Sequence, residues 1–294
     1  MTPLAVVLAL GAAACFALGA ALQQRAARQE KPHHTFDPRL FMRLLRRRSW
    51  LFGKIPDITG TLLQAIALRY GPLTLVQPLL ISGMFLAIPL EAALDRRRPH
   101  PRDVIAVTCC VVGLGAFLVV ARPRPGVAEP SMPAWLGVGA GAGLVVVLCL
   151  ALAHRATSAL RGTLLGVATG IFYAGVAVLL KAFTGRLFAD PWAALTDWHL
   201  WALVLVGLGG VMLNQNAFQN GPLAAPLTAI TLVDPVTSVV IGVTAFHETL
   251  SIGGLRLLVE IPAVLAMIFG IWLASTRPGG RGGCGETPGP RPEE

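Results

Sequence analysis

An acidic residue in the middle of a long apolar run is the first feature of this chain that points to chemistry. Asp234 lies twelve residues after Pro222, inside an apolar stretch at 223–245. On a helix, Thr231, Asp234 and Ser238 fall within an arc of about 60°. Pro235 follows directly and frees a carbonyl one turn back. A carboxylate, two hydroxyls and an unpaired carbonyl suit a hard cation, and a buried carboxylate also suits a proton carrier. An ionisable group at the centre of a bilayer costs about 2.5–3.5 kcal/mol, so such groups usually face a cavity or a partner. A neutral Asp234 bonded to a neighbouring helix is the structural alternative.

A second polar set lies at Lys54, Asp57, Thr61 and Gln64. These four occupy an arc of about 80° on a helix and read as the wall of a cavity. The alternative is an ion pair of Lys54 with Asp57 near an interface, the lysine snorkelling outward. Thr74 and Gln77, just before Pro78, are placed to line the same cavity. Gln23 and Gln24, and the amides from Asn214 to Asn220, read either as cavity groups or as interhelical hydrogen-bond partners. Arg256 and Glu260 are spaced for an i,i+4 ion pair. His247–Glu248 is not the start of an HExxH motif, because position 251 is Ser. No metal is assigned and no cofactor is expected.

The elements that carry these residues follow from composition. Of 294 residues, 54% are hydrophobic and only 13% charged, against about 25% charged in soluble proteins. Mean hydropathy is +0.67. This excludes a disordered chain and argues for an all-α, polytopic membrane protein. Nine stretches are long enough to span, near 3–24, 50–69, 73–94, 103–121, 134–154, 162–183, 200–218, 223–245 and 255–274. The five cysteines show no CxxC pair or metal spacing and read as small apolar residues.

The net charge of +9 is a topology signal here, and no nucleic-acid partner is expected. When loops are assigned alternately to two sides, eighteen of the 24 lysines and arginines fall on one side. The positive-inside rule then places the N-terminus outside and the C-terminus in the cytoplasm of an inner or plasma membrane. Residues 36–48, FDPRLFMRLLRRR, read as an interfacial amphipathic helix. The domain is expected to run over 1–276, with 277–294 a disordered tail.

The domain also carries a duplication. At an offset of 150, Gly60 meets Gly210, Ala67 meets Ala217, and Gly71–Pro72–Leu73 meets Gly221–Pro222–Leu223. At an offset of 156, Phe16 meets Phe172, Gly19 meets Gly175 and Arg25 meets Lys181. Equivalent helices are five spans apart. Five is odd, so spans 1–4 (about 3–121) and 6–9 (about 162–275) are expected to cross in opposite directions, as an inverted repeat.

ALRYGPLTLVQPLL (67–80) and AFHETLSIGGLRLLVEIPAVLAMIFGIWLAS (245–275) resemble the drug/metabolite transporter (DMT) superfamily, of the EamA type. The long first loop and the segment after it are similar to the NIPA-like, magnesium-transporter-related branch. The resemblance covers roughly 4–275 and implies transport. It matches Glu248 to the acidic residue that EamA repeats carry after their penultimate helix. EamA-type chains usually have ten spans, and nine are expected here. The expected function is therefore secondary transport of a small polar solute or divalent cation by alternating access, not catalysis. The competing readings are a membrane enzyme acting on lipid headgroups, or a scaffold binding them. Beyond the bilayer and the solute, the sequence leaves monomer and homodimer open.

Overall fold

The computed structural model describes residues 3–28, 48–94, 101–219, 224–251 and 253–275. Among the described residues every regular element is helical. The order is α1 (Pro3–Arg28), α2 (Arg48–Tyr70), α3 (Leu73–Leu94), α4 (Pro101–Ala121), α5 (Met132–Ala153), α6 (Ser158–Ala189), a short α7 (Pro191–Thr196), α8 (Trp198–Gln219), α9 (Ala224–Thr244) and α10 (Leu257–Ser275), with a 3-10 turn at Gly254–Arg256 before α10. Among the described residues, each of the nine apolar stretches carries one long helix. Among the described residues, Val104–Ala121, Met132–Ala153 and Leu160–Ala189 are long and apolar enough to cross a membrane, and five further helices carry shorter apolar runs. The interfacial helix expected at 36–48, the tail and the Gly221–Pro222 turn lie outside the described residues.

Local chemistry sets the helix ends. Ser131 and Thr157 stand in extended conformation just before α5 and α6. Asp190 caps α7 by accepting the N–H groups of Trp192 and Ala193 at 3.0 and 3.1 Å. Pro72 separates α2 from α3, and its neighbour Gly71 donates to the Ala67 carbonyl at 2.8 Å. A Cβ on Gly71 would lie 2.7 Å from that of Ala5, so only glycine lets the turn sit against α1.

Helix α1 packs on α2 and α3, α6 packs on α8 and α9, and α4 pairs with α10. Small residues allow these approaches, as expected where van der Waals packing replaces the hydrophobic drive. Gly162, Gly166 and Gly170 recur every four residues on α6. A Cβ on Gly166 would lie 2.7 Å from the Pro226 carbonyl oxygen, and one on Gly170 would lie 2.9 Å from Val233 Cβ. In the α4–α10 pair, a Cβ on Gly113 would lie 2.6 Å from the Ala263 carbonyl oxygen.

A Cβ on Gly60 would lie 2.9 Å from the Phe16 ring; the Phe172 ring is met instead by Gly209, whose Cβ would lie 2.5 Å from it, while one on Gly210 would lie 3.2 Å from the Tyr173 ring. Ala67 and Ala217 are both fully buried. The start of α3 lies beside Lys181, whereas Ala217 and Pro226 lie beside Gly162. Those two points are nineteen residues apart along α6, or about 28 Å at 1.5 Å per residue.

The largest core cluster joins both halves through Leu68, Leu73, Val76, Leu114, Val178 and Phe246. At one end of the bundle, segments 121–127 and 246–251 clamp together. Arg124 and Thr249 exchange backbone hydrogen bonds at 2.9 and 3.2 Å, and Val127 N–H donates to the Phe246 carbonyl at 2.7 Å. His247 adopts φ +52°, a left-handed conformation that costs a non-glycine residue about 1–2 kcal/mol.

Candidate functional site

The polar residues singled out in the sequence separate into groups. Asp234 is partly buried on α9, where Ser238, fully buried, donates to its Oδ1 at 3.4 Å. That is the i,i+4 contact the spacing implies. Thr231, one turn before, is partly buried. Helix α6 backs this site: Gly170 lies against the Asp234 backbone, and Tyr173 is within electrostatic reach of the carboxylate. On α3, Thr74 and Gln77 are buried, and their Oγ1 and Nε2 atoms have no hydrogen-bond partner among the described residues. On α2, Asp57 and Gln64 are partly buried. Thr61 is exposed, and its hydroxyl donates to the Asp57 carbonyl at 2.9 Å. The Lys54 side chain is outside the described residues. Helix α6 packs against both α2 and α9.

The most tightly built polar centre is one the sequence left open. Glu248 is 1% exposed, in the turn after α9. Its Oε1 accepts the Leu73 N–H at 2.7 Å and its Oε2 accepts the Thr74 N–H at 2.8 Å. These are two of the four donors that open α3, which no carbonyl of that helix can satisfy. A carboxylate at this position also matches the positive end of the helix dipole. Lys181 of α6, 9% exposed, donates its Nζ to Oε1. The same ammonium sits 4.6 Å from the centre of the Phe246 ring, a cation–π contact. Gly242 makes room: a Cβ there would lie 2.7 Å from Glu248 Oε2. Glu248 thus holds α3, α6 and the end of α9 at one point.

A similar chain occurs in a bacterium. An uncharacterized protein of Corynebacterium glutamicum is 27% identical over 272 residues, covering 90% of this chain and 94% of that one. No protein-family model matches the chain. No solved structure matches it.

A second ionic cluster lies at the same end of the bundle. Arg186 near the end of α6 donates to Asp197 and to Glu129. His199 is fully buried. Its backbone N–H donates to Asp197 Oδ1 at 2.9 Å, and its Nδ1 meets the same oxygen. The imidazole lies 3.9 Å from the Trp198 ring and 5.2 Å from that of Trp135, centroid to centroid. Burial alone would raise the Asp197 carboxyl. The His199 hydrogen bonds and the charges of His199 and Arg186 outweigh it and hold the group below the usual carboxylate range.

One expected pair does not form. Arg256 donates to the Ser251 carbonyl at 3.2 Å, and Glu260 is buried, its Oε1 without a partner among the described residues. Arg256 belongs to the 3-10 turn, and α10 starts only at Leu257, so the i,i+4 geometry of an α-helix does not apply. Among the described residues, no three His, Cys, Asp or Glu side chains gather to hold a metal ion. A cavity of about 260 Å³ between α3, α4, α9 and α10 is lined by Pro78 and Pro235 and otherwise by apolar side chains and Cys110. Its lining includes neither Asp234 nor Gln77.

Proposed function

We propose that this chain is a multi-pass membrane protein that moves a small polar solute or divalent cation by alternating access. Its two halves would form an inverted repeat, with the N-terminus outside and the C-terminus in the cytoplasm. The observation that carries this reading is the paired packing of the halves. Gly60 of α2 sits on the Phe16 ring of α1, and Gly209 of α8, one residue from the aligned position, sits on the Phe172 ring of α6. The residues beside the two Gly-Pro turns lie at opposite ends of α6, as inversion requires. Inverted repeats characterise many secondary transporters, whose sites lie near the midplane between the halves. Asp234 and Ser238, midway along α9, are the groups proposed to bind the cargo or its coupling ion. Asp57, Lys54, Thr61, Gln64, Gln77 and Thr231 would line the path.

The geometry weakens an enzyme built on His247 and Glu248. Both Glu248 oxygens are occupied by backbone donors and Lys181. Such a carboxylate is poorly placed to take a proton from a substrate.

A thermal-shift screen of purified protein against cations and small metabolites would nominate cargo for uptake into proteoliposomes. Asp234→Asn keeps the volume and removes the charge. Uptake is expected to fall at least about tenfold with expression and folding unchanged. Uptake by Asp234→Asn equal to wild type would defeat the assignment of Asp234.

A further inference from the structure

We propose that the groove between α5, α6 and α8 is a binding site for one phospholipid with a zwitterionic, amine-bearing headgroup. The groove has a volume of about 640 Å³, and its lining includes Trp135, Gly139, Gly143, Phe172, Val178 and Trp198. Helix α5 stands off from its neighbours here. A Cβ on Gly139 or Gly143 would meet nothing within 4 Å, and Leu136 and Val147 are exposed. Within a bilayer such a groove is open to acyl chains, and apolar walls offer water no hydrogen bonds.

The end of the groove selects the headgroup. Trp135 and Trp198 line it there, and Trp192 and Trp201, six and three residues from Trp198 in sequence, are 82% and 62% exposed. Tryptophans gather in this way at the headgroup level of membranes. Around Trp135 and Trp198 lie Arg186, Glu129, Asp197 and His199. The Arg186 and Glu129 side chains are 42% and 40% exposed, so each keeps a face for a ligand. Arg186 offers N–H donors to a phosphodiester. The cluster sets the carboxylates of Glu129 and Asp197 beside Arg186 and His199, so it presents both signs of charge side by side, which favours a headgroup that carries both over a purely anionic one. The site thus matches a phosphate and an amine held close together, one on Arg186 and the other on Glu129. This reading needs the chain to lie in a bilayer and does not depend on transport.

The full-length chain would be reconstituted in vesicles of equal parts phosphatidylethanolamine and phosphatidylglycerol with matched acyl chains. It would then be re-extracted in mild detergent, and the retained lipid weighed by mass spectrometry. About one phosphatidylethanolamine per chain is expected, enriched roughly two- to fivefold over phosphatidylglycerol, the scale of a half-exposed charge pair. Glu129→Gln should keep one lipid and lose the preference. Gly139→Phe, which fills open space in the groove, should lose the lipid while the thermal midpoint stays. Equal retention of both lipids, or retention untouched by Gly139→Phe, would overturn the proposal. So would a wild-type dimer that Gly139→Phe turns into monomer without changing bound lipid, since the groove would then seat a second copy of the chain.

Discussion

Lys181 and Glu248 meet across 67 positions of sequence, and their ion pair fastens the far end of α6 to the turn that follows α9. Both side chains are almost wholly buried, and the carboxylate also anchors the first two N–H groups of α3. Removing one partner of a buried pair leaves the other charge uncompensated, at a cost of about 3–5 kcal/mol. Glu248→Gln is therefore expected to lower the thermal midpoint of the detergent-solubilised protein sharply. Lys181→Met in the same chain should restore part of the loss. A Glu248→Gln protein as stable as wild type would contradict this account.

The glycines of α6 and α5 make a contrast. Gly166→Ala would push a Cβ to 2.7 Å from the Pro226 carbonyl, whereas Gly139→Ala enters open space. Overpacking of this kind costs about 1–3 kcal/mol, and an unobstructed change stays within about 0.5 kcal/mol. Unfolding midpoints of the two variants should differ accordingly. Equal midpoints would mean that the α6–α9 seam yields more than its geometry suggests.

Asp197 gives a pH dependence with a definite sign. Its carboxyl is held below the ordinary value of 3.8. A depressed carboxylate contributes stability that is fully present above the unfolded value and is lost as pH falls through the folded one. The stability gap between wild type and Asp197→Asn should therefore hold from neutral pH down to about 5, and narrow only below about 4. A gap that closes between pH 7 and 5 would point to another group.

The proposed topology is open to a direct check. Reporter fusions at residues 48, 100 and 280 should all read cytoplasmic. A cysteine placed at Glu129 should react with an impermeant reagent added outside, and one at Ala156 should not. An outside reading at residue 280 would overturn the arrangement of spans.

Much of the helical architecture was legible because apolar runs bounded by Gly-Pro turns and charged loops leave few alternatives. The Asp234–Ser238 contact was legible too, since it is local to one helix. The Glu248 centre was not. A periodic pattern relates residues within an element, while Leu73 and Glu248 are 175 positions apart. The family resemblance singled out Glu248 as an acidic residue of the repeat, and it said nothing of partners. Arg256 with Glu260 shows the converse. Their spacing suits a helix, but the preceding Gly253 and Gly254 take positive φ, and a 3-10 turn intervenes. The glycines at 162, 166 and 170 carried a readable packing signal, in the small-xxx-small spacing of membrane helices.

The position of Glu248 also bears on how the chain is made. Synthesis runs from the N-terminus at about 5–20 residues per second. Residue 248 is therefore polymerised about 9–35 s after Leu73, its partner 175 positions earlier. Until then the opening donors of α3 and the ammonium of Lys181 lack the carboxylate that will satisfy them. Helices already delivered by the ribosome remain provisional, and the last sixth of the chain fixes them. A nascent chain cut short before residue 248 would hold the Lys181 ammonium and the opening donors of α3 at one site without their carboxylate.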